Sequence, residues 1–98
     1  MAGYCIYNNL MEITFDPNKD GINQAKHGIS LSCALNLEWE SALLWPDNRR
    51  DYGEMRQCAL AYIGQRLYHV SFVERHGALR IISLRKANKR EVRRYAEA

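Results

Sequence analysis

Residues 56–85 of this chain, RQCALAYIGQRLYHVSFVERHGALRIISLR, carry its clearest signal of secondary structure. The stretch divides into three segments rich in aromatic and β-branched residues, which are typical of strands: 56–63, 66–74 and 79–85. Only Gly64 and Gln65 separate the first two, and a leading glycine in a two-residue connection favours a type II′ hairpin. The stretch therefore predicts a three-stranded antiparallel meander.

Upstream of the meander, the sequence predicts a short strand and then a helix. Residues 11–15 alternate apolar and polar side chains, as a half-buried strand does. Asp16 is a good N-cap, and Pro17 lacks only a backbone N–H that the first helical position does not need. A first helix should run to about His27, because Gly28 can adopt the left-handed conformation that ends it.

Between this helix and the meander the pattern is less regular. Ser30 can cap a second helix that carries Leu31, Ala34 and Leu35 on one face. The apolar residues 42–45 are compatible with a short strand after this helix. A polar loop should then lead into the meander.

The C-terminal end predicts one more helix. Asn88 and Glu91 form a variant capping box, and Val92 and Tyr95 lie on one apolar stripe. The sequence thus predicts an α+β fold, an antiparallel meander with two N-terminal helices and one C-terminal helix. We expect a single domain of residues 11–98. Residues 1–10 should form an extension outside it, and whether they are ordered stays open.

Composition excludes several classes of protein. The 98 residues are 47% hydrophobic and 26% charged, as in ordinary globular domains. No apolar run reaches the roughly 18 residues of a membrane span, and no secretory signal is recognisable, so we expect a cytoplasmic protein. The three cysteines form no C-x-x-C pair, which argues against a disulfide framework and a zinc finger.

Charge is distributed unevenly along the chain. The net charge is +3, but residues 1–54 carry four Lys and Arg against eight acids, and residues 55–98 carry ten against three. Such segregation favours a polyanionic partner, nucleic acid first. A solvated basic helix is the plain structural alternative.

Two arginines of the last strand are the first candidates for binding an anion. Strict alternation places Arg80 and Arg85 on opposite faces of that strand, each beside apolar neighbours. A guanidinium group in such a place needs a partner, which can be a phosphate of a ligand or a carboxylate of the protein. For Arg80 the internal alternatives are Glu54 and Glu74.

Lys26 and His27, at the end of the first helix, are the next candidates. Cations there complement the helix dipole, which is a sufficient structural reason for them. A histidine beside a lysine can also transfer protons near neutral pH. His69, in mid-strand, is expected to be a core or edge residue, and His76 a turn residue.

Motifs for other hydrolytic chemistry are missing from the sequence. It has no metal-binding histidine pair, no phosphate-binding glycine loop and no nucleophile elbow, so we expect no metal and no cofactor. RNA supplies its own nucleophile, the 2′-hydroxyl. An enzyme acting on RNA needs only to orient the chain, move protons and stabilise charge with Arg and Lys.

The pattern resembles the BrnT toxin family over residues 11–95. Two elements carry most of the resemblance: N-x-x-K-H-G at 23–28 and R-I-I-S-x-R-x-A at 80–87. The remaining matches are Phe15, Asp16, Lys19, Ala34, Asp47, Glu54, Arg56, Gly64, Arg66, Gly77, Glu91 and Tyr95.

The resemblance implies a RelE-like fold and a type II toxin that cleaves RNA to inhibit translation and growth. It also implies a BrnA-type antitoxin that neutralises the toxin, in a heterotetramer with a toxin dimer or two toxin copies. DNA would be bound only through the antitoxin, and no membrane partner is expected.

Within this hypothesis the candidate catalytic residues are Arg80 and Arg85 for the phosphate, Lys26 and His27 for positioning or proton transfer, and Glu54 as a base. The candidate RNA-binding residues are Arg56, Arg66, Lys86, Lys89, Arg90 and Tyr95. Two other readings stay open at this point: a noncatalytic nucleic-acid-binding domain, and an interaction protein whose basic helix docks an acidic partner.

Overall fold

A computed structural model describes residues 12–49 and 53–98, and the expected extension of residues 1–10 lies outside this range. The strands are β1 (Glu12–Thr14), β2 (Leu43–Pro46), β3 (Gln57–Ile63), β4 (Arg66–Arg75) and β5 (Ala78–Lys86). The α-helices are α1 (Pro17–His27) and α2 (Lys89–Glu97), and two 3₁₀-helices span Leu31–Asn36 and Trp39–Ser41.

The predicted meander is confirmed as β3, β4 and β5, which pair antiparallel in that order. Ile63 pairs with Arg66 across the two-residue connection, and Gly64 has a φ of 61°, as a glycine-first turn requires. The short strand considered for residues 42–45 forms as β2, which pairs antiparallel with β3.

The α+β class is confirmed, and the parallel pairing of β1, which was not predicted, makes the whole sheet mixed. Its order is β1-β5-β4-β3-β2, and β1 pairs with β5 in parallel. Parallel pairing requires a crossover connection, and the chain between β1 and β2 supplies it with α1 and the 3₁₀-helices. Local sequence patterns do not reveal such long-range pairing.

The first helix forms as predicted, but the second is not an α-helix. The Asp16 side chain accepts a hydrogen bond from the backbone of Asn18, and Gly28 ends α1 with a φ of 73°. Ser30 caps the next segment, which is a 3₁₀-helix. Leu31 and Ala34 of this helix are buried, and so is Leu37 directly after it. Their spacing of three residues matches the three residues per turn of a 3₁₀-helix.

Each face of the sheet carries its own apolar cluster. The face that we call the core face packs Val70, Phe72 and Ile81 against the 3₁₀-helices and Ile29. The other, the α2 face, packs Leu60 and Leu67 against Tyr95 of α2 and neighbouring residues. In the described ranges, no helix is long and apolar enough to cross a membrane.

A β-bulge on β5 changes the expected arrangement of the arginines. Ser71 pairs with Ser83 but Phe72 pairs with Ile81, so Ile82 is the extra residue. Alternation restarts after the bulge, and Leu79, Ile81 and Leu84 all face the core. Arg80 and Arg85 consequently share the α2 face. The prediction that they lie on opposite faces of the strand is wrong, because it assumed uninterrupted alternation.

Candidate active site

Asn23, the first residue of the N-x-x-K-H-G element, connects α1 to β5 through side-chain hydrogen bonds. Its side chain is 4% exposed, donates hydrogen bonds to the carbonyl oxygens of Leu84 and Ile29, both at 2.8 Å, and accepts one from the Leu84 amide at 3.2 Å. β1 pairs with β5 only at residues 78–80, so beyond it the edge of β5 needs other partners. The Asn23 side-chain amide makes the hydrogen bonds there that a neighbouring strand would otherwise make.

This clamp brings the end of α1 to the bulge of β5. Lys26 and His27 line a pocket of about 210 Å³ together with Asn23, Ile82 and Ser83. Both residues are exposed and lie at the edge of β5, at the level of the bulge. The structure thus places two predicted site residues next to the strand that carries two others.

Arg80 lies half-buried on the α2 face, paired with Val73 on one side and with Thr14 on the other. Of the two internal partners considered for it, Glu54 instead forms an ion pair with Arg75, and Glu74 forms none with Arg80. Among the described residues, no carboxylate forms a hydrogen bond or an ion pair with the Arg80 guanidinium. Its charge is therefore available for a bound phosphate.

Arg85, in contrast, is held by Glu91 at the start of α2. Its two terminal nitrogens donate to the two carboxylate oxygens at 2.8 and 2.9 Å. These hydrogen bonds from Arg85 lower the pKa of Glu91 from its ordinary 4.5 to about 2, and the backbone amide of Asn88 adds to the effect. Arg85 is thus well fixed, but part of its charge is offset by the carboxylate.

The two arginines mark the ends of one strip. Arg85 pairs with His69 and Arg80 with Val73, and these positions are four residues apart on β4, which corresponds to about 13 Å. Ser83 lies between the arginines on the same face. We call Arg80, Ser83 and Arg85, with Lys26 and His27 at the strand edge, the β5 strip.

Glu54 lies near the Arg80 end of the strip but is not a free carboxylate. It pairs with Arg75, which is two positions from Val73, the neighbour of Arg80 across the strands. A base at this position would have to act while it accepts a hydrogen bond from a guanidinium group. Arg75 was not singled out from the sequence, because a charged residue at the end of a strand carries no signal for a partner 21 positions away.

An open cleft of about 420 Å³ adjoins the Arg85 end of the strip. His69, 8% exposed, lies in it beside Arg85 on the central strand β4, so of the two predicted alternatives it is a core rather than an edge residue. Burial lowers the pKa of His69, and the nearby Arg85 charge lowers it further. Trp45 and Asp47 also line the cleft, and sequence reasoning gave neither of them a role.

The candidate RNA-binding residues fall into two groups. Arg66 donates to the carbonyl oxygen of Ala87 at 3.0 Å, and the Tyr95 hydroxyl donates to that of Ser41 at 2.9 Å, so both have structural partners. Arg56 is half-buried, and its carbonyl oxygen accepts from the Asp47 amide. The exposed members are Lys86, Lys89 and Arg90.

Comparisons with known proteins agree on one family. A family model described as "Ribonuclease toxin, BrnT, of type II toxin-antitoxin system" matches residues 15–91. The chain is similar to the 1.1 Å crystal structure of the Brucella abortus ribonuclease toxin BrnT, with 31% identity and a TM-score of 0.64. That match covers 81% of this chain and 99% of the other. No curated protein gives a significant sequence match.

Proposed function

Because the chain belongs to the BrnT family of ribonuclease toxins, we propose that it cleaves RNA at the β5 strip without a metal ion. As a family member it is a ribonuclease toxin of a type II toxin-antitoxin system. That class implies an RNA substrate and an antitoxin partner.

The observation that carries the proposal is the unpaired charge of Arg80 beside the bulge. In the reaction, the 2′-hydroxyl of a nucleotide attacks the adjacent phosphate, and the 5′-oxygen of the next nucleotide leaves. Negative charge builds up on the phosphate in the transition state, where a positioned guanidinium stabilises it most. Among the arginines of the strip, Arg80 is the one that no described carboxylate neutralises.

Lys26 and His27 serve the same reaction from the edge of β5. They reach the bulge, between the levels of the two arginines, where they can orient the phosphate or move protons. Glu54 stays the candidate base near Arg80, although its pairing with Arg75 makes it the weaker member of the set. Arg85, about 13 Å along the sheet, would contact a neighbouring phosphate more readily than the scissile one.

Metal independence is supported by the chemistry of the side chains at the strip. Its charged groups are Arg and Lys, which supply positive charge and proton donors directly. The RNA 2′-hydroxyl removes the need for a metal-activated water.

Flanking RNA would run along the basic residues beside the strip. Lys86, Lys89 and Arg90 follow Arg85 directly in the chain and are exposed, so they can contact phosphates on that side. Arg56, Arg66 and Tyr95 remain candidates for this role with part of their hydrogen-bonding capacity already used.

The antitoxin is proposed to be of the BrnA type. It would bind two toxin copies in a heterotetramer and would carry the DNA-binding part of the complex. We place the action of the toxin in the cytoplasm, where its RNA substrate is found.

Incubation of the purified chain with a mixed-sequence RNA in EDTA tests this proposal. We expect fragments with 2′,3′-cyclic phosphate ends, because the 2′-hydroxyl is the nucleophile. A matched RNA with a single 2′-deoxy nucleotide at the mapped position should resist cleavage there and nowhere else. Cleavage that needs an added divalent ion, or that proceeds at the deoxy position, would contradict the mechanism. RNA that binds but stays intact would indicate a noncatalytic binding domain.

A further inference from the structure

The cleft beside Arg85 is polar and partly aromatic, and of its lining residues only Arg85 takes part in the proposed cleavage. We infer that this cleft binds one unpaired nucleobase of the RNA, with His69 and the Asp47–Arg49 pair contacting the edge of the base. The inference rests on the proposed function, because it assigns a further part of the same substrate. It makes the cleft the place where the enzyme distinguishes one nucleotide from another.

The size of the cleft suits a small ligand. Its volume of about 420 Å³ lies near the lower end of the range for ligand sites in proteins. The floor contains Cys58 and His69, and Trp45 and Pro46 form an apolar wall at the end of β2. An aromatic and apolar wall beside polar groups is the arrangement that proteins use for unstacked bases.

His69 offers a hydrogen-bond donor that the protein does not use. Among the described residues, neither ring nitrogen of His69 has a hydrogen-bond partner, and Nδ1 is fully buried. A proton on Nδ1 would be an unsatisfied buried donor, so the neutral ring favours the proton on Nε2. Since His69 lines the cleft, its Nε2–H can donate to a carbonyl oxygen or a ring nitrogen of a base.

The two arginines of the cleft are each paired with a carboxylate. Arg49 donates through Nε and a terminal nitrogen to the two oxygens of Asp47, at 2.8 and 2.9 Å. Arg85 is held in the same two-fold manner by Glu91. Because both guanidinium charges are offset locally, the cleft offers directed donors and acceptors rather than net positive charge. A neutral, planar base fits this chemistry better than a phosphate does.

The aromatic side chain at the rim of the cleft is held in place by its neighbours. Arg94 of α2 lies over the Trp45 ring, 4.1 Å from its centroid, and the His69 ring meets Trp45 edge-on at 5.8 Å. These contacts fix the aromatic wall without filling the space between β2 and α2. Arg85 belongs to both the cleft and the β5 strip, so a base in the cleft belongs to a nucleotide next to the one that is cleaved.

An NMR titration of the full-length chain tests this inference without depending on cleavage. The ligands are the four nucleoside 5′-monophosphates, and ribose 5-phosphate serves as the control that lacks a base. The His69 ring signal is assigned by its loss in His69→Gln, which leaves those of His27 and His76 in place. We expect saturable shifts of the His69 signal with at least one nucleotide and none with ribose 5-phosphate.

A matched pair of variants sharpens the test. The Arg49 side chain is 73% exposed but pairs with the Asp47 carboxylate, which is buried, so Arg49→Lys, which keeps the positive charge, should fold normally and weaken nucleotide binding by about fivefold, the effect of one lost hydrogen bond. Arg93→Ala, on α2 outside the cleft, should leave the affinity unchanged.

Equal shifts with ribose 5-phosphate, or no shift with any nucleotide, would overturn the inference even if the chain cleaves RNA. Base binding by a chain that does not cleave RNA would overturn the proposed function alone.

Discussion

Replacing Arg80 with alanine is expected to lower the rate of RNA cleavage by about 10²–10³-fold, the loss typical when one stabilising donor of the transition state is removed. Arg80 is the guanidinium of the β5 strip that no described carboxylate neutralises. The core should be little affected, because its neighbours Leu79 and Ile81, not Arg80 itself, face the core cluster. Single-turnover cleavage rates and thermal unfolding of the same preparation measure the two effects separately.

Two further variants define what Arg80 contributes. Arg80→Lys keeps a charge but loses the planar fork, so its rate should fall between those of the wild type and Arg80→Ala. Arg93→Ala removes an exposed arginine of α2 and should retain most of the activity. An undiminished rate in Arg80→Ala, with the fold intact, would remove Arg80 from the active site.

The Asn23→Ala substitution should cause the largest loss of stability among single changes near the site, about 3 kcal/mol, since it leaves buried backbone groups without partners. Those groups are the amide and carbonyl of Leu84 and the carbonyl of Ile29. Urea unfolding at equilibrium measures the free energy of unfolding. Cleavage activity should fall as well, because Asn23 holds Lys26 and His27 against the bulge.

Asn18→Ala is the matched control, because Asn18 lies in the same helix with an exposed side chain. Its free energy of unfolding should change by no more than about 0.5 kcal/mol. If Asn23→Ala were equally mild, the amide would not be the clamp that joins α1 to β5.

Much of the fold could be predicted because its signals are local. The meander follows from strand-forming residues separated by Gly64, and both ends of α1 follow from Asp16 and Gly28. The capping box of α2 also forms as the sequence indicates, with Asn88 and Glu91 each bonding the backbone of the other. Each of these features is decided within a few residues of the chain.

The bulge on β5 could not be predicted, and it decides the site. Ile81 and Ile82 are identical side chains, so the sequence does not show which of them is the extra residue. One extra residue in β5 switches every later side chain of the strand to the opposite face of the sheet. Arg85 therefore lies on the same face as Arg80. The 3₁₀-helix was easier to predict from the sequence, because the apolar residues Leu31, Ala34 and Leu37 recur every three positions.

The parts of the site that sequence reasoning missed depend on contacts between distant elements. Asn23 belongs to the motif that carried the family resemblance, but its partner Leu84 is 61 positions away. The cleft around His69 exists only because the end of β2 and the start of α2 come together over β4 and β5. Neither arrangement leaves a periodic or compositional signal.

A crystal structure of the chain with an RNA oligomer that is 2′-O-methylated throughout tests whether the phosphate to be cleaved binds at Arg80. Methylation blocks the nucleophile and keeps the backbone intact, so the RNA should stay bound in its productive position. We expect a backbone phosphate within hydrogen-bond distance of the Arg80 guanidinium, with Lys26 and His27 beside it and the next phosphate toward Arg85. RNA bound only along the outer basic side of α2, with Arg80 in solvent, would contradict this expectation.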